Sequence, residues 1–446
     1  MSGYGITHFF SPSRVIFFSL LCCIVIGTCL LSLSYAQNSP IPFIDTLFVA
    51  TSALCVTGLS TISIHAFSGL GKTIILILIQ IGGLGIITLT LFVASLILNL
   101  GMGTKMMAEE LLDVDTWSNT KKLLIFIIIA TIAFESIGAL FIFSSLKQYF
   151  PLWQALGYSL FQSISAFCNA GVSLLDYGHP LFSEQFMLCN SMGFLMILGG
   201  IGFLTIKEII KRLNPLSKEP KKICFSLQTK IALFYYLSLT GITTLAFWCI
   251  EKMHALKDFS FIQQGKIALF TAITARSGGF LVLKPELLQP QSFLLLTLNG
   301  LIGAAPGSTG SGLKLTTFAI LIASTYAVIQ SKESVEISGR SIAKDQILKA
   351  LSVLVLSVIW VFFATFCILY TDPQWPFMRI LVEITSAFST LGISTGITPL
   401  LSEAGKCILI VTMFIGRISP LTLIIACKMG KKQREFSYPE ERVMIS

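Results

Sequence analysis

Four short segments recur along this chain of 446 residues at nearly even spacing: TSALCVTGL at 51–59, SAFCNAGV at 165–172, TARSGGF at 274–280 and SAFSTLGI at 386–393. Each is a run of small and hydroxyl residues that ends in a glycine followed by an apolar residue. The glycines are Gly58, Gly171, Gly279 and Gly392, at intervals of 113, 108 and 113 residues. Repetition at a fixed period means one structural unit used several times. Four units in one membrane chain predict a ring around a central axis. Glycine-bearing backbone at such an axis can turn its carbonyls toward a bare cation and replace its hydration shell.

Composition places the ring in a bilayer. The chain is 54% hydrophobic and only 12% charged, about half the charge of an ordinary soluble domain. Unbroken apolar runs of spanning length occur at 15–33, 73–98, 123–143, 231–250, 351–370 and 407–427. Closed barrels give alternating patterns instead. The net charge of +9 does not point to nucleic acid, because it is segregated: 20 of the 31 Lys and Arg fall on one side of the predicted spans, eight on the other and three within the repeat units. The basic side is cytoplasmic by positive-inside logic, with both termini inside the cell membrane. Eleven cysteines form no CxxC pair and sit mostly in apolar runs, as small buried hydrophobes do. Arg14, an apolar stretch and Ser34-Tyr35-Ala36 resemble a cleavable signal peptide. The first repeat needs this helix, however, as the other three each have one.

Each repeat reads as a long apolar helix, a short segment opening near Pro or Trp, the glycine segment, and a second long helix. The units run 15–99, 121–211, 225–330 and 345–428 within one pore domain (1–428), followed by a basic cytoplasmic tail (429–446). The first helices are expected near 15–36, 121–147, 225–251 and 345–371, the second near 72–99, 185–211, 291–330 and 403–428. The short segments start around Pro42, Trp153, Phe261 and Trp375. At about a dozen residues they are too short to span and read as re-entrant half-helices. A second motif keeps phase with the first: QIGGLGI (80–86), ILGGIGF (197–203), LIGAAPG (301–307) and FIGRISP (414–420). From each filter glycine to Gly82, Gly199, Gly303 and Gly416 is 24, 28, 24 and 24 residues. The expected fold is all-α: eight transmembrane helices and four half-helices around a pore. Half-helix C-termini aimed at the centre favour a cation. Filter segments nearly free of acids favour carbonyl coordination of a monovalent ion over a carboxylate ring.

These residues resemble the Trk/Ktr/HKT superfamily of potassium transporters. GAAPGSTGSGLKLTTF (303–318) and FIGRISPLTL (414–423) are similar to stretches of its bacterial translocating subunits, and the resemblance runs from about residue 15 to 428. Length and helix count look more like the KtrB type than the TrkH type, which carries two further N-terminal helices. The resemblance implies filter carbonyls from Val56-Thr57-Gly58, Asn169-Ala170-Gly171, Ser277-Gly278-Gly279 and Thr390-Leu391-Gly392. Potassium is then the transported ion, with sodium as a coupling or modulating ion in the alternative. The third segment departs from the others: Ala275 lies four residues before its glycine, against five for Ala53, Ala166 and Ala387.

The third second-helix is interrupted by Gly303, Pro306, Gly307, Ser308, Thr309, Gly310 and Gly312, enough breakers to unwind it. A kink or a misplaced external loop is the plain alternative; the resemblance implies an intramembrane gate loop beneath the filter. Lys314 follows it directly, to bond the loop's carbonyls or repel a passing cation. Arg417 lies in an apolar helix, and the resemblance implies that it projects into the pore beneath the filter. The structural alternative is an ion pair with Glu135, Asp45 or Glu383. Arg276 is expected to face away from the axis and brace the filter from behind. Asp45 and Glu383 read as caps or dipole partners of half-helices, and Glu135 as a partner of neighbouring helices.

No nucleotide-binding signature is present, so regulation by nucleotide needs another polypeptide. The resemblance implies a cytoplasmic ring of nucleotide-binding subunits, of the KtrA/TrkA kind, and a homodimer. Segments 207–230 and 332–349 and the tail from Lys428 are candidate docking surfaces, with anionic lipid as the simpler partner. An intramembrane enzyme is disfavoured, because the four histidines lie outside the predicted helices and no HExxH or GxSxG stands in a suitable place. A secondary transporter for an organic solute predicts inverted repeats, whereas these run parallel.

Overall fold

The computed structural model describes residues 12–84, 117–175, 179, 181–182, 185–213 and 225–427. The basic tail, the continuation of the first repeat's second helix past residue 84, and part of the 207–230 docking segment lie outside the described residues. The first helices of the repeats are α1 (Pro12–Leu31), α4 (Trp117–Leu146), α8 (Leu227–Glu251) and α12 (Lys344–Thr371). Within these, four continuous stretches are long and apolar enough to cross a bilayer. They present large apolar side chains outward: Ile129, Leu140, Phe234 and Phe366 are each more than 60% exposed. Such a surface is stable against lipid and not against water.

The half-helices are α2 (Phe43–Cys55), α5 (Leu152–Phe167), α9 (Phe261–Thr274) and α13 (Phe377–Ser389). Their starts follow from local chemistry. Pro42, Pro151 and Pro376 precede three of them, and a fixed proline φ sets the chain's entry. Ser260 and Gln263 close a reciprocal capping box on α9.

The second helices are α3 (Gly69–Gly83), α6 and α7 (Phe186–Gly200, Phe203–Leu213), α10 and α11 (Pro290–Leu301, Leu315–Ile329), and α14 and α15 (Glu403–Ile418, Pro420–Cys427). Here the expectation of unbroken second helices at 185–211 and 403–428 needs correction. The α6–α7 pair bends by 102° and the α14–α15 pair by 88°. The first bend turns on Gly202, at φ +89°, a conformation that only glycine adopts freely. The second turns on Ser419, at φ +82°, followed by Pro420, which has no N–H to continue the helix. Among the described residues, counting each of those two pairs as one span gives up to six, and α10–α11 is interrupted as expected.

The repeats pack in cyclic order. Each second helix contacts the half-helix of the next unit: α3 on α5, α6 on α9, α10 on α13, and α14 back on α2. Helix α1 packs on α2, α3 and α15, so the last repeat closes onto the first. A buried ion pair marks that closure, with Lys406 Nζ on α14 donating to Asp45 Oδ1 on α2 at 2.7 Å. A two-stranded hairpin, β1 (Glu336–Ile337) and β2 (Arg340–Ser341), links α11 to α12.

Candidate ion-conduction site

The four half-helices end alike. In three of them a backbone N–H just past the helix folds back to a carbonyl five residues earlier: Thr57 to Ser52, Ala170 to Ser165 and Leu391 to Ser386, each at 2.8 Å. This stops the helix and demands a left-handed residue beside it. Val56 and Asn169 take φ +58° and Thr390 φ +50°. Asparagine tolerates that conformation, whereas β-branched Val and Thr adopt it under steric strain held by the surrounding packing. In the third repeat Gly278 N–H reaches Thr274 instead, a turn tighter by one residue. This tighter turn accounts for Ala275 standing one residue closer to its glycine. Ser277 nonetheless takes φ +71°, the same register as its counterparts.

The glycines that follow are also left-handed, with φ +89° at Gly58, +67° at Gly171, +71° at Gly279 and +84° at Gly392. Each segment therefore has positive φ two residues before its glycine and again at the glycine, with an ordinary residue between. Such alternation turns successive carbonyls toward one side of the strand, where uniform extended backbone would point them to opposite sides.

The four segments meet. A β-carbon on Gly58 would lie 2.5 Å from the Ala170 carbonyl oxygen, and one on Gly171 3.1 Å from that of Gly278. One on Gly279 would lie 3.0 Å from the Leu391 oxygen, and one on Gly392 2.5 Å from that of Thr57. Each glycine thus abuts the preceding-residue carbonyl of a neighbouring repeat, and the fourth returns to the first. Any side chain at these positions would displace the ring. The hydroxyls of Thr57, Ser277 and Thr390 are buried beside it without protein partners.

Side chains behind the ring fix its shape. Ser52 Oγ accepts the Gly58 N–H at 3.1 Å, and Ser165 Oγ donates to the Val172 carbonyl at 2.6 Å. Glu383 accepts from Ser394 Oγ (2.7 Å), Thr395 N–H (2.7 Å) and Thr398 Oγ1 (2.6 Å), which ties down the chain after Gly392. Gln162 does the same at the equivalent place in the second repeat, donating to Ser173 Oγ at 2.6 Å. Both residues lie nine positions before their glycine. Glu383 therefore supports the return segment rather than capping its half-helix. Gln162 is not singled out by either motif, and only that shared offset marks it. Arg276 is fully buried, donates to the Tyr236 carbonyl at 3.2 Å and stacks on the Tyr236 ring at 4.5 Å. Glu135 accepts from Gln80 Nε2 at 3.1 Å.

The in-phase second motif also acquires a reason. A β-carbon on Gly82, Gly199 or Gly416 would lie 1.8–2.0 Å from the carbonyl of Leu54, Phe167 or Phe388 respectively. Each of those carbonyls belongs to a half-helix, four residues before the ring glycine. The motif glycines let the second helix touch the half-helix end. In the third repeat Gly303 meets the Ser311 carbonyl instead, because a folded loop takes that space.

That loop, 302–314, is stapled at its base by Gly303 N–H to Leu313 O (2.8 Å) and Leu313 N–H to Leu301 O (3.0 Å). It reaches the second repeat through Ala305 N–H to Gly200 O (3.0 Å), Thr309 N–H to Gly199 O (3.1 Å) and Phe203 N–H to Gly307 O (2.9 Å). Ser308 Oγ donates to Ala305 O, and Lys314 Nζ to Gly310 O at 2.8 Å. A β-carbon on Gly312 would press on Gly303, and Pro306 lies against Gly202. Arg417, 7% exposed, crosses from the fourth repeat to donate to Thr309 O (2.8 Å), Ser311 Oγ (2.7 Å) and the Gly82 carbonyl. Elements of the second, third and fourth repeats thus converge on the loop, on the half-helix side of the glycine ring, and Arg417 ties it to the Gly82 carbonyl of the first. The alternative of an Arg417 ion pair is corrected here. Asp45 is taken by Lys406, Glu383 by its hydroxyl cluster and Glu135 by Gln80, and the guanidinium is satisfied by backbone and hydroxyl oxygens instead. Among the described residues no group of three or more His, Cys, Asp or Glu is placed to hold a metal ion.

Comparison with known proteins gives the same architecture a family. The TrkH model, described as a cation transport protein, matches residues 15–437. The chain is 35% identical to Ktr system potassium uptake protein B of Bacillus subtilis, over 97% of this chain and 96% of that one. It is 32% identical to the protein of the same name from Vibrio alginolyticus, over 97% and 94%. It is 30% identical to potassium/sodium uptake protein NtpJ of Enterococcus hirae, over 98% and 97%. The fold superposes on the potassium transporter TrkH of Vibrio parahaemolyticus with a TM-score of 0.71, at 18% identity, over 93% of this chain and 85% of that one. The chain belongs to the TrkH family of cation transporters, a family of membrane proteins and not of enzymes.

Proposed function

We propose that this chain is the ion-translocating subunit of a potassium uptake system in the cell membrane, with both termini cytoplasmic. The observation that carries the reading is the closed ring in which each repeat's glycine abuts a neighbouring repeat's carbonyl. A ring of neutral carbonyls, without acidic side chains, suits a monovalent cation that sheds its water. The names of the relatives, two of them potassium uptake proteins, favour potassium as that cation. Val56, Thr57, Gly58, Asn169, Ala170, Gly171, Ser277, Gly278, Gly279, Thr390, Leu391 and Gly392 form the filter in this reading. The 302–314 loop, held by Lys314 and Arg417, is the gate.

The word "system" in those names favours a partner component. A cytoplasmic nucleotide-binding ring and a second copy of this chain are the partners we propose, with segment 332–349 and the basic tail as docking surfaces. Sodium-coupled potassium symport, or permeation by both ions, is the second reading, favoured by the potassium/sodium name of one relative. Expression in a bacterium stripped of its own potassium uptake tests both. Growth in micromolar potassium supports the first; growth only when sodium is added supports coupling; failure to grow with the partner subunit supplied counts against both.

A further inference from the structure

We propose that the gate loop also sets the filter's selectivity, through a side-chain bridge between Thr309 and Asn169. The proposal rests on the transport reading above and adds to it a coupling between gate and filter. Asn169 stands two residues before Gly171, in the left-handed position that opens the second filter segment. Its side-chain nitrogen donates to Thr309 Oγ1 at 2.8 Å. The same nitrogen has only longer contacts elsewhere, 3.3 Å to Met196 O and 3.4 Å to Phe167 O. Thr309 Oγ1 in turn donates to Phe167 O at 3.2 Å, the last helical carbonyl of the half-helix. One loop hydroxyl therefore bridges the end of the half-helix and the first filter residue.

The loop touches the filter at a second place. A β-carbon on Gly310 would lie 3.3 Å from the Ser277 side chain, at the same filter position in the third repeat. In the first and fourth repeats that position is Val56, which has no polar side-chain atom, and Thr390, whose hydroxyl lacks a protein partner. The loop thus hydrogen-bonds the second filter segment and packs beside the third, where the Ser277 hydroxyl, like that of Thr390, has no protein partner. Arg417 holds the same loop residue by its backbone, through Thr309 O at 2.8 Å. When the loop withdraws, Asn169 loses its shortest hydrogen bond. The next residue, Ala170, carries the carbonyl that abuts Gly58. A carbonyl ring discriminates potassium from sodium only while the number and position of its oxygens are held. Opening the gate should therefore loosen selectivity as well as raise flux.

The test is paired rubidium and sodium uptake into proteoliposomes holding the full-length chain. Thr309→Val keeps size and both backbone contacts but removes the hydroxyl. It should lower the rubidium-to-sodium ratio about fivefold, the factor that one hydrogen bond of ordinary net strength represents. Thr309→Ser should restore the ratio. Deletion of 307–312, which removes both contacts, should raise flux and lower the ratio at least to the level of the valine variant. An unchanged ratio in Thr309→Val, or a deletion that raises flux at the wild-type ratio, would overturn the bridge while leaving potassium transport standing. Absence of uptake by wild type and deletion variant alike would overturn the transport reading, and the bridge with it.

Discussion

At the level of single residues, the site depends on atoms that a sequence does not display. Gly58 and its three counterparts were legible because a glycine that returns in register marks backbone with no room for a side chain. The tight approach of the Ala170 carbonyl makes the consequence quantitative. Gly58→Ser inserts a side chain where 2.5 Å is free and where φ is +89°. It should reduce the potassium-over-sodium uptake ratio by about tenfold or more, the equivalent of about 1.4 kcal/mol. An unaltered ratio in isotope flux would count against the filter assignment. Arg417 shows the opposite case. Its sequence context offered Glu135, Asp45 and Glu383 as partners, all carboxylates, yet its acceptors are two carbonyls and a serine hydroxyl. Backbone acceptors have no sequence signature. Each hydrogen bond to a charged group is worth about 1.5–3 kcal/mol. Arg417→Gln should thus weaken loop closure and, in the proposed pore, also remove a positive charge from the cation's path. We expect rubidium flux to rise at least about fivefold; a fall in flux with normal protein yield would show that Arg417 supports conduction instead.

Among the elements, the half-helices were readable and the helix breaks only partly so. Proline or tryptophan before a short polar-tinged segment marks an entry point, and three prolines and one capping box mark it in the structure. The 302–314 loop announced itself by several breakers in one apolar run. Gly202 and Ser419 did not, since glycines and Ser-Pro steps are common within membrane helices and bend one only where the packing asks for it. Two contacts outside the filter hold elements together and can be tested. The Asp45–Lys406 pair joins the fourth repeat to the first, with both side chains mostly buried. Asp45→Asn leaves a buried lysine without its counter-charge and should cost about 3–5 kcal/mol, read as a lower unfolding temperature in detergent, with partial recovery in Asp45→Asn/Lys406→Met. Asp372, just beyond the end of α12, receives the N–H and hydroxyl of Ser402 at 2.8 and 2.7 Å. Burial raises its pKa, but these bonds and those from Thr371 and Gln374 outweigh it and hold the carboxyl below its ordinary value. Its contribution to stability is therefore present above the unfolded value, near pH 4, and is lost as pH falls through the lower folded value. Asp372→Asn should lower the unfolding temperature at pH 7 and narrow the gap to wild type below about pH 4; a gap that widens in acid would contradict the sign.

Across the whole molecule, the repeat does two jobs with one motif set. Four copies supply a ring, and the departure of the third copy supplies a loop that the other three have no room for. Where Gly82, Gly199 and Gly416 bring a second helix onto a half-helix carbonyl, Gly303 admits the loop's own Ser311. The period was visible in the sequence because every unit meets the same axis. The loop's anchors were not, because they come from several repeats and are far apart along the chain. If this ring conducts potassium and the loop obstructs it, rubidium uptake by proteoliposomes of the chain alone will show both. Wild type and the protein lacking 307–312 are compared, each against excess potassium or sodium. Wild-type uptake should be low, raised several-fold by the deletion and abolished by excess potassium but not by equal sodium. Uptake indifferent to potassium, or no uptake from either protein at normal reconstitution, would contradict a potassium-conducting ring gated by this loop.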